Sequence, residues 1–199
     1  EPNLGTITVP DERLNKLAEL VKPQRILPTT VEIVDIAGLV KGASKGEGLG
    51  NQFLGNIREC DAILHVLRCF DDPNVVHVDG KVDPVRDKEV IDIELQLKDL
   101  ETVEARIKKV EKQAQIGDKE AKRRFDLLSR IREALLKGVS ARAVVTANDD
   151  PALLSEFQLL TTKPVMYVCN VDEKSAINGN AYVEKVKAAV AAENAQVIF

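Results

Sequence analysis

The amino-acid sequence predicts an α/β fold: a mostly parallel β-sheet flanked by helices, with an inserted antiparallel coiled-coil helical hairpin. Apolar runs of strand length alternate with amphipathic stretches of helical period, which is typical of strands joined by crossover helices. Residues 87–137 instead carry two long apolar stripes that step by threes and fours. We therefore expect residues 1–86 and 138–199 to form the α/β domain and residues 87–137 to be the insertion.

The first elements follow from local patterns. Residues 3–9 alternate enough for a short strand, and Asp11 is expected to cap a helix that ends at Val21. Residues 30–35 form an apolar strand that leads directly into the segment Asp35-Ile-Ala-Gly38. Six glycines then lie between positions 38 and 55, which is too many for regular structure and predicts a loop.

The later α/β elements are expected in the same alternation. Residues 61–70 are almost continuously apolar, as strands buried on both faces of a parallel sheet usually are. The other expected elements are a helix at 51–60, a strand at 164–169, a helix at 181–193 and a strand from 196 onward.

The hairpin is predicted from the spacing of its apolar residues. One stripe runs from Ile93 to Ala114 and the next from Ala121 to Leu135, with Gly117-Asp118 between them. The polar Gly-Asp break favours a hairpin over a dimeric coiled coil. At 1.5 Å per residue the first arm would be about 33 Å long.

Composition narrows the class of protein. Of 199 residues, 44% are hydrophobic and 30% charged, which indicates an ordinary globular chain. No apolar run approaches the ~20 residues of a membrane span and no signal peptide is visible, so a cytoplasmic protein without membrane contact is expected. The absence of Trp disfavours stacking on single-stranded nucleic acid, and no DNA-specific motif occurs. Cys60, Cys69 and Cys169 lack zinc or disulfide spacing and are expected to be reduced thiols.

Candidate binding residues follow two of the predicted strands, where open α/β sheets bind ligands. Asp35 is suited to hold Mg²⁺ through water, and the Gly38 N–H can approach a terminal phosphate. Any strand-to-loop turn can produce this DxxG pattern. Asn170 offers a donor and an acceptor to a purine, and Glu173 could add to base discrimination, although the same cluster suits a plain turn.

The glycine-rich segment 41–51 is the third candidate. It does not contain GxxxxGKS/T, and its GxGxG does not follow a strand, so neither phosphate-cradling nor dinucleotide-binding loops are indicated. A mobile switch segment fits the composition better, with an ordinary flexible loop as the alternative.

Several segments together resemble the YchF subfamily of Obg-like ATPases, a ribosome-binding group in the translation-factor branch of the P-loop NTPases. The segments that carry the resemblance are 25–30, 34–40, 42–51, 53–59 and 65–70. The similarity covers essentially the whole chain, including the hairpin.

The resemblance implies an ATPase that binds the ribosome, ATP and Mg²⁺, with a P-loop core, the coiled-coil insertion and a C-terminal TGS domain. Its base motif would be Asn170-x-x-Glu173 in place of the NKxD of GTP-using relatives, with Val171 against the adenine. Leu39 stands where Ras-like enzymes carry a water-orienting Gln, so another group must orient the water or turnover must be slow. The family's Walker A segment and first-switch Thr are expected before Glu1 and the TGS domain after Phe199. The resemblance thus implies an incomplete chain with negligible ATP turnover by itself.

A second class of function is an adaptor that binds RNA or the ribosome through the hairpin. Residues 106–132 contain ten Lys and Arg against four acids, which gives +6, while the remaining residues carry −10 to reach the total of −4. An ordinary solvent-exposed helical face is the alternative explanation, because it would carry the same charges. The contact residues expected on this hypothesis are Lys119, Lys122, Arg123 and Arg124. A GTP-using relative is a further alternative; an oxidoreductase is disfavoured, with His65 and His77 expected to be structural.

Overall fold

The computed structural model describes residues 3–36, 50–75, 77 and 80–199, and for residues 50–53 the backbone only. The chain divides into two compact units, Glu1–Gly38 and Leu39–Phe199. Gly38, Leu39 and nearly all of the glycine-rich segment lie outside the described residues, so the predictions made for them stay predictions. In the part that is described, no helix is both long and apolar enough to cross a membrane.

The first unit is a strand pair with one helix. Strand β1 (Asn3–Thr8) pairs antiparallel with β2 (Thr30–Asp35), and α1 (Glu12–Val21) lies between them in sequence. The Asp11 side chain accepts from the backbone N–H of Arg13 at 2.9 Å, which confirms the predicted cap. All three elements were predicted, but not the antiparallel pairing. None of their residues is buried.

The second unit contains a parallel sheet with strand order β3–β4–β5. The strands are β3 (Ile63–Arg68), β4 (Val165–Asn170) and β5 (Gln196–Ile198), and the helices outside the hairpin are α2 (Gly50–Glu59), α5 (Pro151–Phe157) and α6 (Ala181–Val190). The predicted fold class is confirmed. The short helix α5 was not predicted.

Among the described residues, only one face of this sheet is covered. Side chains of Leu67, Cys69, Tyr167 and Cys169 point to the same face and pack in a buried cluster with α6. Because side chains alternate along a strand, Leu64 and Val66 lie on the other face, where they are 50% and 62% exposed. The expectation of a strand buried on both faces is therefore wrong for β3. An apolar sequence does not reveal how many faces the neighbouring elements cover.

The hairpin consists of α3 (Pro84–Gln115) and α4 (Lys119–Leu136). Helix α3 begins at Asp83-Pro84, three residues before the predicted start, because the Asp83 side chain caps it and proline fits its first turn. Gly117 has φ +95°, a conformation that suits glycine at the turn. The Asp118 side chain then caps α4 by accepting from two backbone N–H groups, which confirms the predicted break.

The hairpin packs on the rest of the second unit, here called the body, through one apolar core. Its buried members are Val103 of α3, four residues of α4, and three residues from the segment that leads to β4. They are Val103, Leu127, Leu128, Ile131, Leu135, Ala141, Phe157 and Leu159. Helix α5 ends at Phe157, so this short helix presents an aromatic ring to the core.

Polar contacts also fix α3 to the body, and two of them involve the buried side chains of Asp99 and Lys88. The buried Asp99 carboxylate accepts from the backbone N–H groups of Leu160 and Thr161 at 2.8 and 2.7 Å, and from the Thr161 hydroxyl at 2.6 Å. Burial raises the pKa of Asp99, and these hydrogen bonds oppose that shift. Near the start of α3, the Lys88 ammonium lies 2.7 Å from a Glu193 carboxylate oxygen.

Candidate functional site

The carboxyl ends of β3 and β4 meet at one edge of the parallel sheet. Arg68 and Asn170, the last residues of these strands, are partners in the register. The Cys69 N–H donates to the Asn170 carbonyl at 2.7 Å, and the Asn180 side chain donates to the Cys69 carbonyl at 2.7 Å. Asn180 also caps α6. These bonds hold Cys69, directly after β3, beside the end of β4 and the start of α6. Open α/β sheets bind their ligands at this edge.

The segment 170–173 combines a fixed backbone with exposed polar side chains. The Asp172 side chain accepts from the Ser175 N–H at 2.9 Å, and hydrogen bonds from Ser175 hold the pKa of Asp172 below its usual range. Asn170 and Glu173 are exposed, and within the described part of the chain their side chains make no hydrogen bond. Val171 is half-buried and packs partly on the β3–β4–α6 cluster. Two of the three predicted base-binding side chains are therefore free to meet a ligand.

Arg68 organises the loop that follows β3. Its guanidinium donates to the carbonyls of Phe70, Val75 and Asp72 at 3.1, 2.9 and 3.3 Å, and it lies 4.8 Å from the centre of the Phe70 ring. Sequence reasoning missed Arg68 and Asn180. A charged residue that ends an apolar strand, and an Asn directly before a helix, were the available signals.

Asp35 belongs to the first unit. It is the last residue of β2, lies opposite Asn3 in the register and is exposed. Over residues 3–36, 50–75, 77 and 80–199, no group of three or more His, Cys, Asp or Glu side chains converges on a metal position. Mg²⁺ is often held by one or two carboxylates together with water and substrate phosphates. A single exposed Asp fits Mg²⁺ only in that mode.

The ten cations of residues 106–132 fall into two groups. Arginines 106, 124, 130 and 132 are ion-paired with acids of the body or the hairpin. Hydrogen bonds to Glu156 and Glu120 raise the pKa of Arg124, so its charge is already compensated. The other six are exposed and have no ion-pair partner among the described residues: Lys108, Lys109, Lys112, Lys119, Lys122 and Arg123. Of the four predicted contact residues, three are free and Arg124 is engaged.

The histidines and cysteines show no activated group among the described residues. Burial lowers the pKa of His65, whose ring lies 5.7 Å from that of Tyr167. His77 Nε2 lies 2.9 Å from an Asp87 carboxylate oxygen, a pairing that the sequence did not indicate. All three cysteines are free, and burial raises the pKa of Cys69 to about 12. A thiol with such a pKa is a poor nucleophile at neutral pH.

Comparison with known proteins identifies the class. The family described as 50S ribosome-binding GTPase matches residues 8–118, and the chain therefore belongs to that family. A search of curated proteins finds "Ribosome-binding ATPase YchF" of Bacillus subtilis (strain 168), 51% identical over 200 residues, and that of Escherichia coli O157:H7, 51% identical over 198. Each match covers 100% of this chain and 55% or 54% of the relative. The chain thus spans about half the length of the curated relatives that it matches.

A solved structure agrees with the sequence matches. The YchF GTPase of Schizosaccharomyces pombe is similar with a TM-score of 0.80 and 35% identity, over 100% of this chain and 55% of that one. The resemblance to the YchF subfamily is therefore confirmed.

Proposed function

We propose that this protein is a switch protein that binds and hydrolyses ATP with Mg²⁺ and associates with the ribosome in the cytoplasm. The observation that carries the proposal is the similarity, over the whole chain, to proteins named ribosome-binding ATPases. The exposed side chains of Asn170, which ends β4, and of Glu173, three residues later, support it, because they stand where an open α/β sheet binds its ligand.

Asn170 and Glu173 are proposed to recognise the base. The Asn170 amide can donate to the purine N7 and accept from the exocyclic amino group of adenine. The ionised Glu173 carboxylate accepts hydrogen bonds and donates none, so it suits an amino group as its partner. The exposed part of Val171 is proposed to lie against the adenine, while its other part packs on the sheet cluster.

Asp35, Gly38 and Leu39 are proposed to serve the phosphates. Asp35 would hold Mg²⁺ through a water molecule, and the Mg²⁺ would neutralise charge on the phosphates. The Gly38 N–H would approach the terminal phosphate. Leu39 cannot donate to or accept from an attacking water. Slow intrinsic turnover is therefore proposed.

GTP is the alternative nucleotide. The family description and the Schizosaccharomyces pombe relative both carry the word GTPase. Glu173 favours ATP. In GTP-using relatives the Asp of the NKxD motif pairs with the guanine N1 and N2 groups, and the longer Glu173 side chain would place its carboxylate differently.

Titration with ATP and with GTP, followed by the NMR shifts of the Asn170 and Glu173 amides, tests this proposal. We expect ATP to bind about tenfold more tightly than GTP. Asn170→Ala should weaken ATP binding about tenfold, since one or two hydrogen bonds of ~1 kcal/mol are removed. Asn178→Ala, an exposed Asn in the same loop, is the matched control and should bind ATP as the parent does. Tighter binding of GTP would contradict the assignment of ATP.

A second candidate function is binding of RNA or the ribosome through the hairpin. The exposed and unpaired Lys119, Lys122 and Arg123 near the turn support it, because uncompensated cations on an acidic protein attract phosphates. Arg124 is left out of this proposed surface because Glu120 and Glu156 already bind it.

A further inference from the structure

A groove lies between the last turn of α2 and one face of α3, away from the base-binding segment. Its volume is about 390 Å³. The α3 residues that line it recur every three or four positions, so they share one face of the helix. The lining residues are Arg58, Lys98, Glu101, Thr102, Ala105, Arg106 and Lys109.

The groove lies at the amino end of the parallel sheet. Arg58 precedes β3 by a few residues, and the Lys163 ammonium, just before β4, donates to the Cys60 carbonyl at the end of α2. Asn170 is the last residue of β4, and Glu173 lies three residues beyond it. The groove and the proposed base-binding segment are therefore at opposite edges of the sheet.

The lining is strongly cationic. Four cations face one acid, Glu101, which lies 2.7 Å from the Lys98 ammonium. Lys109 has no ion-pair partner among the described residues. Arg106 donates to the carbonyls of Glu156 and Phe157 and lies 4.0 Å from a Glu156 carboxylate oxygen, so its charge is partly compensated by an acid outside the lining. The net charge of the lining is therefore positive.

Arg58 supplies the sharpest signal. Its Nε is buried and has no hydrogen-bond partner among the described residues. The nearby Asp99 interacts with Arg58 electrostatically, but its carboxylate oxygens accept from Leu160 and Thr161 instead. An unpaired buried donor costs about 1–3 kcal/mol, so a missing acceptor is indicated.

We propose that this groove binds a phosphate group, with Arg58 and Lys109 as its principal contacts. A guanidinium presents parallel N–H donors that match phosphate oxygens, and an ammonium adds charge at the mouth. Partial burial strengthens the attraction relative to an exposed cation, because less water screens it. The phosphate can belong to a free ion or to an RNA backbone, which share this chemistry.

The experiment measures binding of inorganic pyrophosphate by calorimetry and of a short RNA duplex by fluorescence anisotropy. Lys109→Gln removes one exposed charge, and Arg58→Gln removes the guanidinium whose Nε has no hydrogen-bond partner among the described residues. Lys137→Gln, which neutralises an exposed lysine that ends α4, is the matched control. We expect both groove variants to weaken binding about tenfold and the control to bind like the parent.

The two phosphate sources give different results. Loss of pyrophosphate binding in both groove variants supports a free phosphate ligand. If pyrophosphate binds too weakly to measure, loss of RNA binding with a salt slope reduced by about one supports a backbone phosphate. Unchanged binding of both probes in Lys109→Gln and Arg58→Gln would overturn the proposal.

Two controls separate this proposal from other effects. Thermal melting checks that Arg58→Gln folds, and Lys109→Gln keeps the test valid if it does not, because Lys109 is exposed. The ATP titration at the Asn170 and Glu173 amides should be the same in Lys109→Gln and the parent. A failure of the proposed phosphate binding in the groove can thereby be distinguished from a failure of the proposed nucleotide binding.

Discussion

Asp99 is the residue in which a single side chain joins distant parts of the second unit. It lies in α3, yet its carboxylate accepts from Leu160 and Thr161, 61 and 62 positions further along the chain. The segment that it holds leads to β4 and therefore to Asn170. This contact is expected to stabilise the fold strongly, because removal of the carboxylate leaves buried N–H groups unpaired.

Asp99→Ala should lower the free energy of unfolding by about 3 kcal/mol, because two backbone N–H groups and one hydroxyl are left without their acceptor in a buried site. Urea denaturation of the variant and the parent measures this. Thr161→Val is the comparison: it removes the hydroxyl that donates to Asp99 and accepts from the buried Ala141 N–H at 3.1 Å, and it should cost about 2 kcal/mol. A destabilisation by Asp99→Ala no larger than that by Thr161→Val would show that the backbone bonds contribute little.

At the scale of elements, the hairpin divides its charges between two roles. Between residues 106 and 132, the arginines at 106, 124, 130 and 132 form ion pairs, whereas five lysines and Arg123 do not within the described residues. Arginine suits paired positions because its planar donors hold a carboxylate in a defined geometry. The exposed group is the part of the element that is free to meet an external polyanion.

Lys122→Gln together with Arg123→Gln should weaken binding to ribosomes or RNA and reduce the salt slope by about two, because each cation is expected to neutralise one phosphate. Sedimentation with ribosomes and anisotropy with RNA, each over a range of salt concentrations, measure the change. Arg132→Gln removes a hairpin charge that Glu104 already compensates, and should leave the slope unchanged. Equal effects of the two sets of substitutions would refute a binding surface at the turn.

At the scale of the whole molecule, the two units differ in how much they bury. No residue of the first unit's elements is buried, whereas the second unit contains two apolar clusters. Opening free energies follow the buried apolar contacts around a segment. The two units are therefore expected to differ in stability.

Hydrogen exchange should report this difference. In the 199-residue chain, amides of β1, α1 and β2 should exchange at least about a hundredfold faster than those near Val103, Leu128 and Ile131, since a gap of ~3 kcal/mol corresponds to that ratio. Mass spectrometry of peptides from both units measures the rates. Similar protection in the two units would contradict the expectation.

The hairpin and its turn were readable from the sequence because they depend on local order. Apolar residues every three or four positions require one buried face, and Gly117-Asp118 both ends one helix and caps the next. Helix α5 escaped prediction since seven residues carry too short a pattern. The exposed face of β3 escaped it because apolar side chains on both faces of a strand suggest burial on both.

Sequence alone determined the fold class, the hairpin, the resemblance to YchF proteins, and the position of Asn170 and Glu173 at the carboxyl end of a strand. Those properties depend on periodicity, caps and contiguous motifs, which neighbouring residues carry. Only the tertiary structure decided which cations are free, why Arg124 is not among them, and that Arg58 faces the same groove as Lys109. Pairing and burial depend on residues that are distant in sequence, so the residue type at one position does not reveal them.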